Sequence, residues 1–572
     1  MANNNLIYRD SLPAGQWVEF EKSVTTTLLV DLIRLGWVVE PSKSGFRAYC
    51  ARTDQTKILV ELVHQLSTDE SLRRKIPSNY HPYFKHLTSA DLTDGRGFSH
   101  LLPFGFHRID ADSVVAVSTA GDHTFLTQHQ LLSLIESPEK LELAKRAELQ
   151  SKYFLNGPNF FGSAELLRSR IAARKETVLA GQSLHIFVPT LQCEHSCQYC
   201  QVSRRLEDTG HSMTPDQIDA ACDTIFQSPA NSLTVEFQGG DPLLRFDLIQ
   251  RAINKIQLLN VQHKRRIRFV ITSTLHQLTP AMCEYLRDNQ VHLSTSLDGP
   301  AALHNKNRPL PSRDAHARTL AGIELARRIM GSGAVAALMT TTRSSLEHPE
   351  AIVDEYVEQG FGEIFIRPLS LYGFAKRNIR HLGYTLAEFA RFYERALNRV
   401  LEWNAQGKEL REGTAALIFN KLLSPFDAGY VDLQSPTGSG TAVLVYNYDG
   451  YVYPSDEARM LAETGDHSLR MGRIGESIAK LMKSPVIDQL LTNSISTQAP
   501  GCINCAFNSF CGPDPVAAQA EFGSMNALPL LTEHCKRYKW LFDYFLRKLR
   551  TADESFLDLA CRWAHPVGLS NA

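Results

Sequence analysis

The sequence predicts an α/β fold in which six parallel strands alternate with helices, followed by a cysteine-rich C-terminal region. Three observations lead to this prediction. Apolar strand patterns alternate with helical patterns from residue 181 to about 370, three cysteines follow the first of those strands, and four more lie near the C-terminus. Strand–helix repeats of this length require right-handed crossovers and a parallel sheet, so we expect an open, partial (β/α)6 barrel.

The predicted strands of this core are short and apolar, and they cover residues 184–190, 233–238, 266–273, 292–298, 334–342 and 363–370. The predicted helices between them lie near 214–229, 246–261, 279–289, 317–330 and 346–360. The first helix opens with Thr214, Pro215 and Gln217, a capping box with proline at the first helical position. Ligands bind at the carboxyl ends of such strands, which is where the three cysteines fall.

Four regions follow from changes in pattern along the chain. Residues 1–100 form an N-terminal extension of unknown role, with helical patterns at 24–36 and 60–66 and a break at Asp94–Gly95. Residues 101–180 form a small α+β region, residues 181–375 the six-unit core, and residues 376–572 the cysteine-rich extension.

The region 101–180 has a winged-helix character. A hairpin is predicted over 113–125, a helix capped by Thr127 follows it, and a second helix runs from Glu139 to Phe154. Such regions can bind a peptide as an added strand, and the alternative is a packing role beside the core. In the C-terminal extension we expect a helix from Thr385 to about Gly407, a hairpin over 442–453 that turns at Asp449–Gly450, and a closing helix over 533–550.

Composition narrows the functional class. The chain has 572 residues, is 43% hydrophobic and carries a formal net charge of -1, so it can bury large cores and needs no polyanionic partner. No secretory signal or membrane-spanning run is visible. Seven of the eleven cysteines stand in two close-set groups, which indicates metal ligation in a reducing cytosol. We therefore expect a cytoplasmic protein with neither nucleic-acid nor membrane partners.

The first cysteine group is the most informative motif. Cys193, Cys197 and Cys200 can bind three irons of one [4Fe–4S] cluster and leave the fourth iron open, whereas structural zinc needs four closing ligands. A loop with buried or zinc-binding cysteines is the alternative. The spacing, with Tyr199 before the last cysteine, resembles the signature of the radical S-adenosylmethionine (radical SAM) superfamily. The resemblance implies two cofactors, a [4Fe–4S] cluster and the S-adenosyl-L-methionine that binds it.

Two further motifs extend the resemblance over residues 181–370. The run Gln238, Gly239, Gly240, Asp241 and Pro242 is similar to the family's Gly-Gly-Glu-Pro loop, which offers backbone carbonyls to the ammonium group of the cofactor, although an isolated run of this kind could be any turn. Residues 294–300, with His304 and Arg308, resemble a motif of sulfatase and peptide maturases. That resemblance implies that Ser296 reaches the ribose and that Arg308 pairs with the cofactor carboxylate, with a surface salt bridge as the alternative for Arg308.

The second cysteine group resembles the SPASM extension of such enzymes. In the family, four cysteines bind the second auxiliary cluster, and all four positions hold cysteine in this chain: Cys502, Cys505, Cys511 and Cys535. Three positions expected to bind the first auxiliary cluster hold Thr437, Ser455 and Pro515. The resemblance therefore implies one auxiliary [4Fe–4S] cluster, and a structural zinc site is the alternative.

Asp456 stands where sulfatase-maturing members carry their catalytic base, which takes a proton as a substrate radical is oxidised. A turn or cap role is the alternative.

Over roughly 470 residues the chain is most similar to the His-Xaa-Ser system radical SAM maturase family. That resemblance implies a ribosomally made precursor peptide as substrate, a second radical SAM partner enzyme, and an electron donor such as flavodoxin or ferredoxin. Two alternatives stay open: a radical enzyme for a small molecule, and a non-catalytic Fe–S or zinc scaffold that presents a peptide.

Overall fold

The structure is a computed structural model that describes residues 17–21, 38–41, 45–49, 100–156, 163–429 and 431–564. The helices predicted at 24–36 and 60–66 and the break at Asp94–Gly95 lie outside these residues, as does Cys50. Three described strands near the N-terminus form an antiparallel sheet in the order β1-β3-β2; they are β1 (Trp17–Glu21), β2 (Val38–Pro41) and β3 (Gly45–Tyr49).

A three-stranded antiparallel sheet followed by helices forms the next region. Its elements are β4 (His100–Leu101), β5 (Phe104–Arg108), β6 (Ser113–Ser118), β7 (His123–Thr127), α1 (Gln128–Glu136), α2 (Leu143–Ser151), β8 (Leu155–Asn156) and α3 (Ser163–Leu179). The predicted hairpin is confirmed as β6 and β7, and Thr127 caps α1 through a capping box with Gln130. The second helix is shorter than predicted, because Pro138–Lys140 forms a separate 3-10 turn and Tyr153 adopts a φ of 60° just after the helix.

The six predicted core strands and the five helices between them are confirmed. The strands are β9 (Leu184–Thr190), β10 (Ser232–Gly239), β11 (Arg266–Thr272), β12 (Val291–Ser296), β13 (Val335–Thr340) and β14 (Glu363–Arg367). The five predicted helices are α4 (Pro215–Ile225), α5 (Phe246–His263), α6 (Pro280–Asp288), α8 (Ala315–Met330) and α9 (Pro349–Glu358), and a sixth, short helix that was not predicted, α7 (Ala301–Asn307), lies before α8. Each strand pairs in parallel with its sequence neighbour, which confirms an α/β fold with a largely parallel sheet.

The C-terminal region contributes the remaining elements. They are α10 (Gly373–Arg377), α11 (Ile379–Leu382), α12 (Leu386–Ala405), β15 (Arg411–Glu412), α13 (Gly413–Leu423), β16 (Val443–Tyr446), β17 (Tyr451–Tyr453), α14 (Asp456–Ala462), β18 (Gly472–Arg473), α15 (Ile478–Leu481), α16 (Pro485–Ser494), α17 (Pro515–Phe522), α18 (Glu533–Arg550) and α19 (Glu554–Ala564). The predicted amphipathic helix, hairpin and closing helix are confirmed as α12, β16–β17 and α18.

The C-terminal hairpin joins the central sheet. Strand β16 pairs in parallel with β9, so that Val443 lies opposite Leu184, and the sheet reaches ten strands in the order β15-β14-β13-β12-β11-β10-β9-β16-β17-β18. One apolar core packs around this sheet and includes fully buried Phe187, Phe237 and Tyr446. Among the described residues, no helix is both long and apolar enough to cross a bilayer.

The region 101–180 packs against the C-terminal extension. A Cβ built on Gly105 would lie 2.7 Å from the Ala506 Cα, so the two backbones touch there. The Ser509 hydroxyl donates to the Ser118 carbonyl at 2.9 Å, and buried Arg174 donates to backbone carbonyls that include that of Ser424 at 3.0 Å.

Candidate functional site

The cysteine loop, residues 191–200, follows β9 at the carboxyl edge of the central sheet and is held from several sides. The Cys193 amide donates to the Arg205 carbonyl at 2.8 Å, and the Ser196 amide donates to the Pro309 carbonyl at 3.0 Å. The Cys200 carbonyl accepts from the Phe374 amide at 2.9 Å. Backbone bonds to three separate segments therefore fix the path of the loop independently of any ligand.

The three thiols of this loop lie close enough to influence one another. Cys193 and Cys197 are buried and Cys200 is partly exposed. Burial raises the pKa of Cys193, and nearby Asp241, Cys197 and Cys200 raise it further. Burial also raises the pKa of Cys197 to about 12. Burial thus favours neutral thiols in this loop, and the positive charge of bound iron would favour the thiolates that iron requires.

The Gly-Gly-Asp-Pro loop packs directly on the cysteine loop. Gly239 has a φ of 136°, a conformation that side chains rarely adopt, and a Cβ built on it would lie 2.2 Å from the Thr190 carbonyl oxygen. A Cβ on Gly240 would lie 2.2 Å from the Gln192 oxygen. The Gly240 amide donates to the Thr190 carbonyl at 2.9 Å. The sequence therefore needs glycine at both positions, because two backbones meet there.

The Asp241 side chain does not face an open site. It is 1% exposed and accepts hydrogen bonds from the Ser273 hydroxyl at 2.6 Å, from the Thr274 hydroxyl, and from the Leu243 amide at 3.2 Å. Burial raises the pKa of its carboxyl group. The segment after β11 thus supplies two hydroxyls to this aspartate, and Asp241 connects that segment to the Gly-Gly-Asp-Pro loop.

A buried polar triad connects the cysteine loop to the segment after β12. The Tyr199 hydroxyl donates to Asp298 Oδ2 at 2.8 Å and accepts from Arg308 Nη1 at 2.9 Å. Arg308 is buried, so the surface salt bridge considered for it is wrong. Burial raises the pKa of Asp298, and Arg308 and Tyr199 act against that rise. Arg308 therefore meets Tyr199 in this structure, and its Nε is buried without a partner.

His195 lies between the cysteines of the loop, a position that predicts a packing role rather than a ligand. This residue is 1% exposed, and its Nε2 lies 3.3 Å from His276 Nδ1, which links the cysteine loop to the segment after β11. It is therefore a buried packing element, and its Nδ1 has no hydrogen-bond partner among the described residues.

Polar groups also occupy the carboxyl ends of β10, β11 and β12. Glu236 accepts from the Thr272 hydroxyl at 2.8 Å, and Gln238 bonds the same carboxylate. Ser296 ends β12 and is partly buried. Burial raises the pKa of Glu236, and Asp456 raises it further, so the proposed base lies near this part of the site.

Asp456 is the first residue of α14, and Ser455 caps that helix by accepting from the Ala458 amide at 3.2 Å. The turn role considered for Asp456 is therefore wrong. Its Oδ1 accepts from Arg459 Nε at 2.7 Å. Arg459 is fully buried, and both of its terminal nitrogens lack hydrogen-bond partners among the described residues.

One small cavity is lined by all four C-terminal cysteines, Cys502, Cys505, Cys511 and Cys535. Burial raises the pKa of Cys502 to about 11, and Cys535 and Cys505 contribute to the rise. Burial likewise raises the pKa of Cys511, with contributions from the other three thiols. In the described part of the chain, no three His, Cys, Asp or Glu side chains converge as ligands of a single metal ion. The four thiols nevertheless suit an Fe–S cluster by chemistry and proximity, because its irons bind separate thiolates.

The three positions that lack cysteine are buried and serve other purposes. The Thr437 hydroxyl donates to the Ser439 hydroxyl at 3.3 Å, Ser455 caps α14, and Pro515 begins α17. Hydroxyl and pyrrolidine groups thus replace thiols there.

The sequence comparison assigns the core to a superfamily. Residues 187–364 match the Radical SAM superfamily and form a domain of that type. An uncharacterized protein of Synechocystis is 26% identical over 220 residues, 37% of this chain and 54% of that protein. The radical SAM cyclopropyl synthase TigE of Paramaledivibacter caminithermalis is 24% identical over 163 residues, 26% of this chain and 34% of TigE. The chain thus spans about half of the first relative and a third of the second.

The structural comparison agrees on the fold. The solved structure described as native anSMEcpe with bound AdoMet superposes with a TM-score of 0.54 at 16% identity, over 66% of this chain and 98% of that one. The same protein with AdoMet and the Cp18Cys peptide also gives a TM-score of 0.54, at 15% identity over 66% of this chain and 98% of that one.

Proposed function

We propose that this protein is a radical SAM enzyme that modifies a ribosomally made peptide by hydrogen abstraction. The observation that carries the proposal is the packing of the Gly-Gly-Asp-Pro loop on the cysteine loop at the carboxyl edge of β9 and β10. A non-catalytic scaffold would not need this cofactor loop, because presenting a peptide requires no S-adenosylmethionine. When bound, the cluster and S-adenosylmethionine would supply the electron and the 5′-deoxyadenosyl radical.

The residues of the chain have distinct roles in this proposal. Cys193, Cys197 and Cys200 would hold the cluster, and backbone carbonyls near Gly239 and Gly240 would hold the amino group of S-adenosylmethionine. Ser296 would contact its ribose. Arg308 would hold the cysteine loop in place through Tyr199, because Arg308 Nη1 donates a hydrogen bond to the Tyr199 hydroxyl. The buried walls would exclude water from the reacting groups.

Asp456 would accept the proton released as the substrate radical is oxidised. Its ion pair with Arg459 fixes one carboxylate oxygen at 2.7 Å and leaves the second oxygen outside that bond. Cys502, Cys505, Cys511 and Cys535 would hold one auxiliary [4Fe–4S] cluster, whose four irons would all be ligated, so that it could accept the electron without binding substrate.

One comparison and one structural feature support a peptide substrate. anSMEcpe, which shares the fold, has been solved with AdoMet and a peptide, and the region 101–180 combines a three-stranded antiparallel sheet with three helices. We propose that this region binds the leader of a precursor of the His-Xaa-Ser type. A second radical SAM enzyme and an electron donor such as flavodoxin or ferredoxin would complete the system in the cytoplasm.

Cofactor cleavage is the direct test of the enzyme class. Anaerobically reconstituted protein with dithionite should convert S-adenosylmethionine into methionine and 5′-deoxyadenosine. Cys197→Ala should abolish this activity, whereas Cys283→Ala should keep it, because Cys283 is a buried thiol of α6 outside both cysteine groups. If a variant without Cys193, Cys197 and Cys200 still forms 5′-deoxyadenosine, the proposed class is wrong.

Co-expression with a His-Xaa-Ser precursor tests the substrate. Mass spectrometry should show a change in peptide mass that requires Cys197. An unmodified peptide, together with intact cofactor cleavage, would favour a small-molecule substrate.

A further inference from the structure

A cavity of about 650 Å³ lies between the two cysteine groups. On one side, lining residues Leu369 and Tyr384 pack in the same apolar cluster as Cys197 and Tyr199. On the other side, His534 lines both this cavity and the small cavity of the four C-terminal cysteines. The cavity therefore connects the surroundings of the two groups, and it is large enough for a substrate side chain and its flanking backbone.

Five acidic residues line this cavity. Glu521 and Glu533 are exposed at its rim, and the other three come from three different elements. Asp514 caps α17 by accepting from the Val516 and Ala517 amides at 2.9 and 3.1 Å. Asp432 belongs to the 3-10 turn Val431–Leu433, and Glu457 is the second residue of α14. Among the described residues, neither the Asp432 nor the Glu457 side chain forms an ion pair or a hydrogen bond with another residue; Glu457 bonds only its own backbone amide. Two partly buried carboxylates therefore face the cavity without a direct partner.

Three basic residues, Arg367, Lys376 and Arg537, line the cavity beside the five acidic ones. Lys376 donates to the Ala520 carbonyl at 2.7 Å, and among the described residues no cation forms an ion pair with Asp432 or Glu457. Burial raises the pKa of Asp432, Asp514 and Asp456 add to the rise, and Arg367 and Arg537 oppose it, so that the pKa is about 7. Burial raises the pKa of Glu457 well above its ordinary value, and Asp432, Asp456 and Asp514 all add to the rise. A carboxylate that is removed from water without a counter-charge costs free energy, which a cation placed between the two would recover.

Apolar groups complete the lining. Phe365, Leu417 and Tyr538 contribute rings and an aliphatic side chain to the same cavity. A ligand with an apolar stem and a charged end would place the stem against these groups and the charge against the carboxylates.

We propose that this cavity binds a cationic side chain of the substrate, an ammonium, guanidinium or imidazolium group, with Asp432 and Glu457 as its counter-charges. The proposal rests on the proposed function, since it assigns the substrate that this function requires. It adds a specificity site that acts by charge and lies between the two cysteine groups.

Matched amino-acid amides test this proposal on the reconstituted full-length protein with S-adenosylmethionine bound. The probes are Nα-acetyl-arginine amide and Nα-acetyl-lysine amide, and their uncharged counterparts are Nα-acetyl-citrulline amide and Nα-acetyl-norleucine amide. Isothermal titration at pH 8 should show at least one cationic probe binding about tenfold more tightly than its counterpart. The preference should shrink at pH 6, because protonated Asp432 and Glu457 no longer supply negative charge.

Charge-removing variants locate the effect. Asp432→Asn combined with Glu457→Gln should abolish the preference for the cationic probe. Glu533→Gln is the matched control, because Glu533 lines the rim, is exposed and already pairs with Lys536 at 2.7 Å, so the preference should persist. Circular dichroism should show that each variant remains folded, and the probe comparison in the unaltered protein needs no variant.

Three outcomes would overturn the proposal: equal affinity for charged and uncharged probes, no binding of any probe, or a preference that survives the double substitution. Formation of 5′-deoxyadenosine by the unaltered protein is measured separately. Its absence would refute the proposed function, whereas its presence without a charge preference would refute only the cation site.

Discussion

Gly240→Ala should push the Gly-Gly-Asp-Pro loop away from the cysteine loop. The Cβ of alanine would lie 2.2 Å from the Gln192 oxygen and 2.3 Å from the Leu191 oxygen, and both are backbone atoms that cannot rotate away. An ordinary contact begins near 3.4 Å, so the loops must move apart by about 1 Å. That movement stretches the Gly240–Thr190 and Asp241–Gln192 hydrogen bonds, which now measure 2.9 and 2.7 Å.

Both the stability and the activity should fall. Losing two buried hydrogen bonds costs about 1–3 kcal/mol each. Because the displaced carbonyls belong to the cysteine loop, a shift of this size should lower the rate of S-adenosylmethionine cleavage by about 100-fold. Chromatography of 5′-deoxyadenosine, iron content and thermal melting measure the three effects.

Gly333→Ala is the control for the loss of a glycine. Nothing lies within 4 Å of a Cβ at Gly333, so the melting temperature and the S-adenosylmethionine cleavage rate of this variant should match those of the unaltered protein. A Gly240→Ala protein with the cleavage rate and melting temperature of this control would refute the requirement for close approach of the two loops.

Three further predictions follow from the buried charges and the cysteines. Tyr199→Phe leaves Asp298 and Arg308 without their shared hydroxyl and should cost about 2–4 kcal/mol in denaturant unfolding, whereas Tyr285→Phe, at a half-buried surface tyrosine, should cost less. Iron analysis should give about eight irons per chain, falling to about four in Cys505→Ala with Cys511→Ala; about twelve would contradict the assignment, and one zinc with about four irons would favour structural zinc. The pKa of Asp432 is raised from 3.8 to about 7, so the folded chain holds a proton that the unfolded chain releases, and stability should be lost as the pH rises through this range. Melting of Asp432→Asn should vary less with pH, and an unchanged profile would contradict that cause.

Local patterns were enough to predict most of the core. Strand and helix periodicities located β9 to β14 and the helices between them, since each pattern depends on residues a few positions apart. The cysteine loop, a candidate metal-binding segment, was also identified from the sequence, because its three cysteines lie within eight residues of one another. The pairing of β16 with β9 was not predicted, because strands 259 residues apart meet only through the tertiary fold, and no local pattern specifies which strand borders the core.

The electrostatics of the site could not be predicted from single motifs. Tyr199 and Arg308 are separated by 109 residues, and only the fold brings them within 2.9 Å. Asp432 lies in a short 3-10 turn with no recognisable motif around it, so no local pattern indicates that it faces a cavity. Asp298 offered one signal, since an aspartate directly after a buried strand is often fixed by hydrogen bonds.

The backbone contact at Gly105 has a consequence for the order in which the molecule is built. Strand β5 leaves the ribosome about 400 residues before the segment around Cys505 that covers it. The face of β5 therefore stays open throughout synthesis, and it closes only when the last cysteine loop arrives. Removing residues 101–180 would uncover that loop as well as delete the proposed peptide-binding region, so a truncated protein could not separate lost recognition from damage to the C-terminal cysteine loop. A transplanted recognition region would likewise need glycine at position 105.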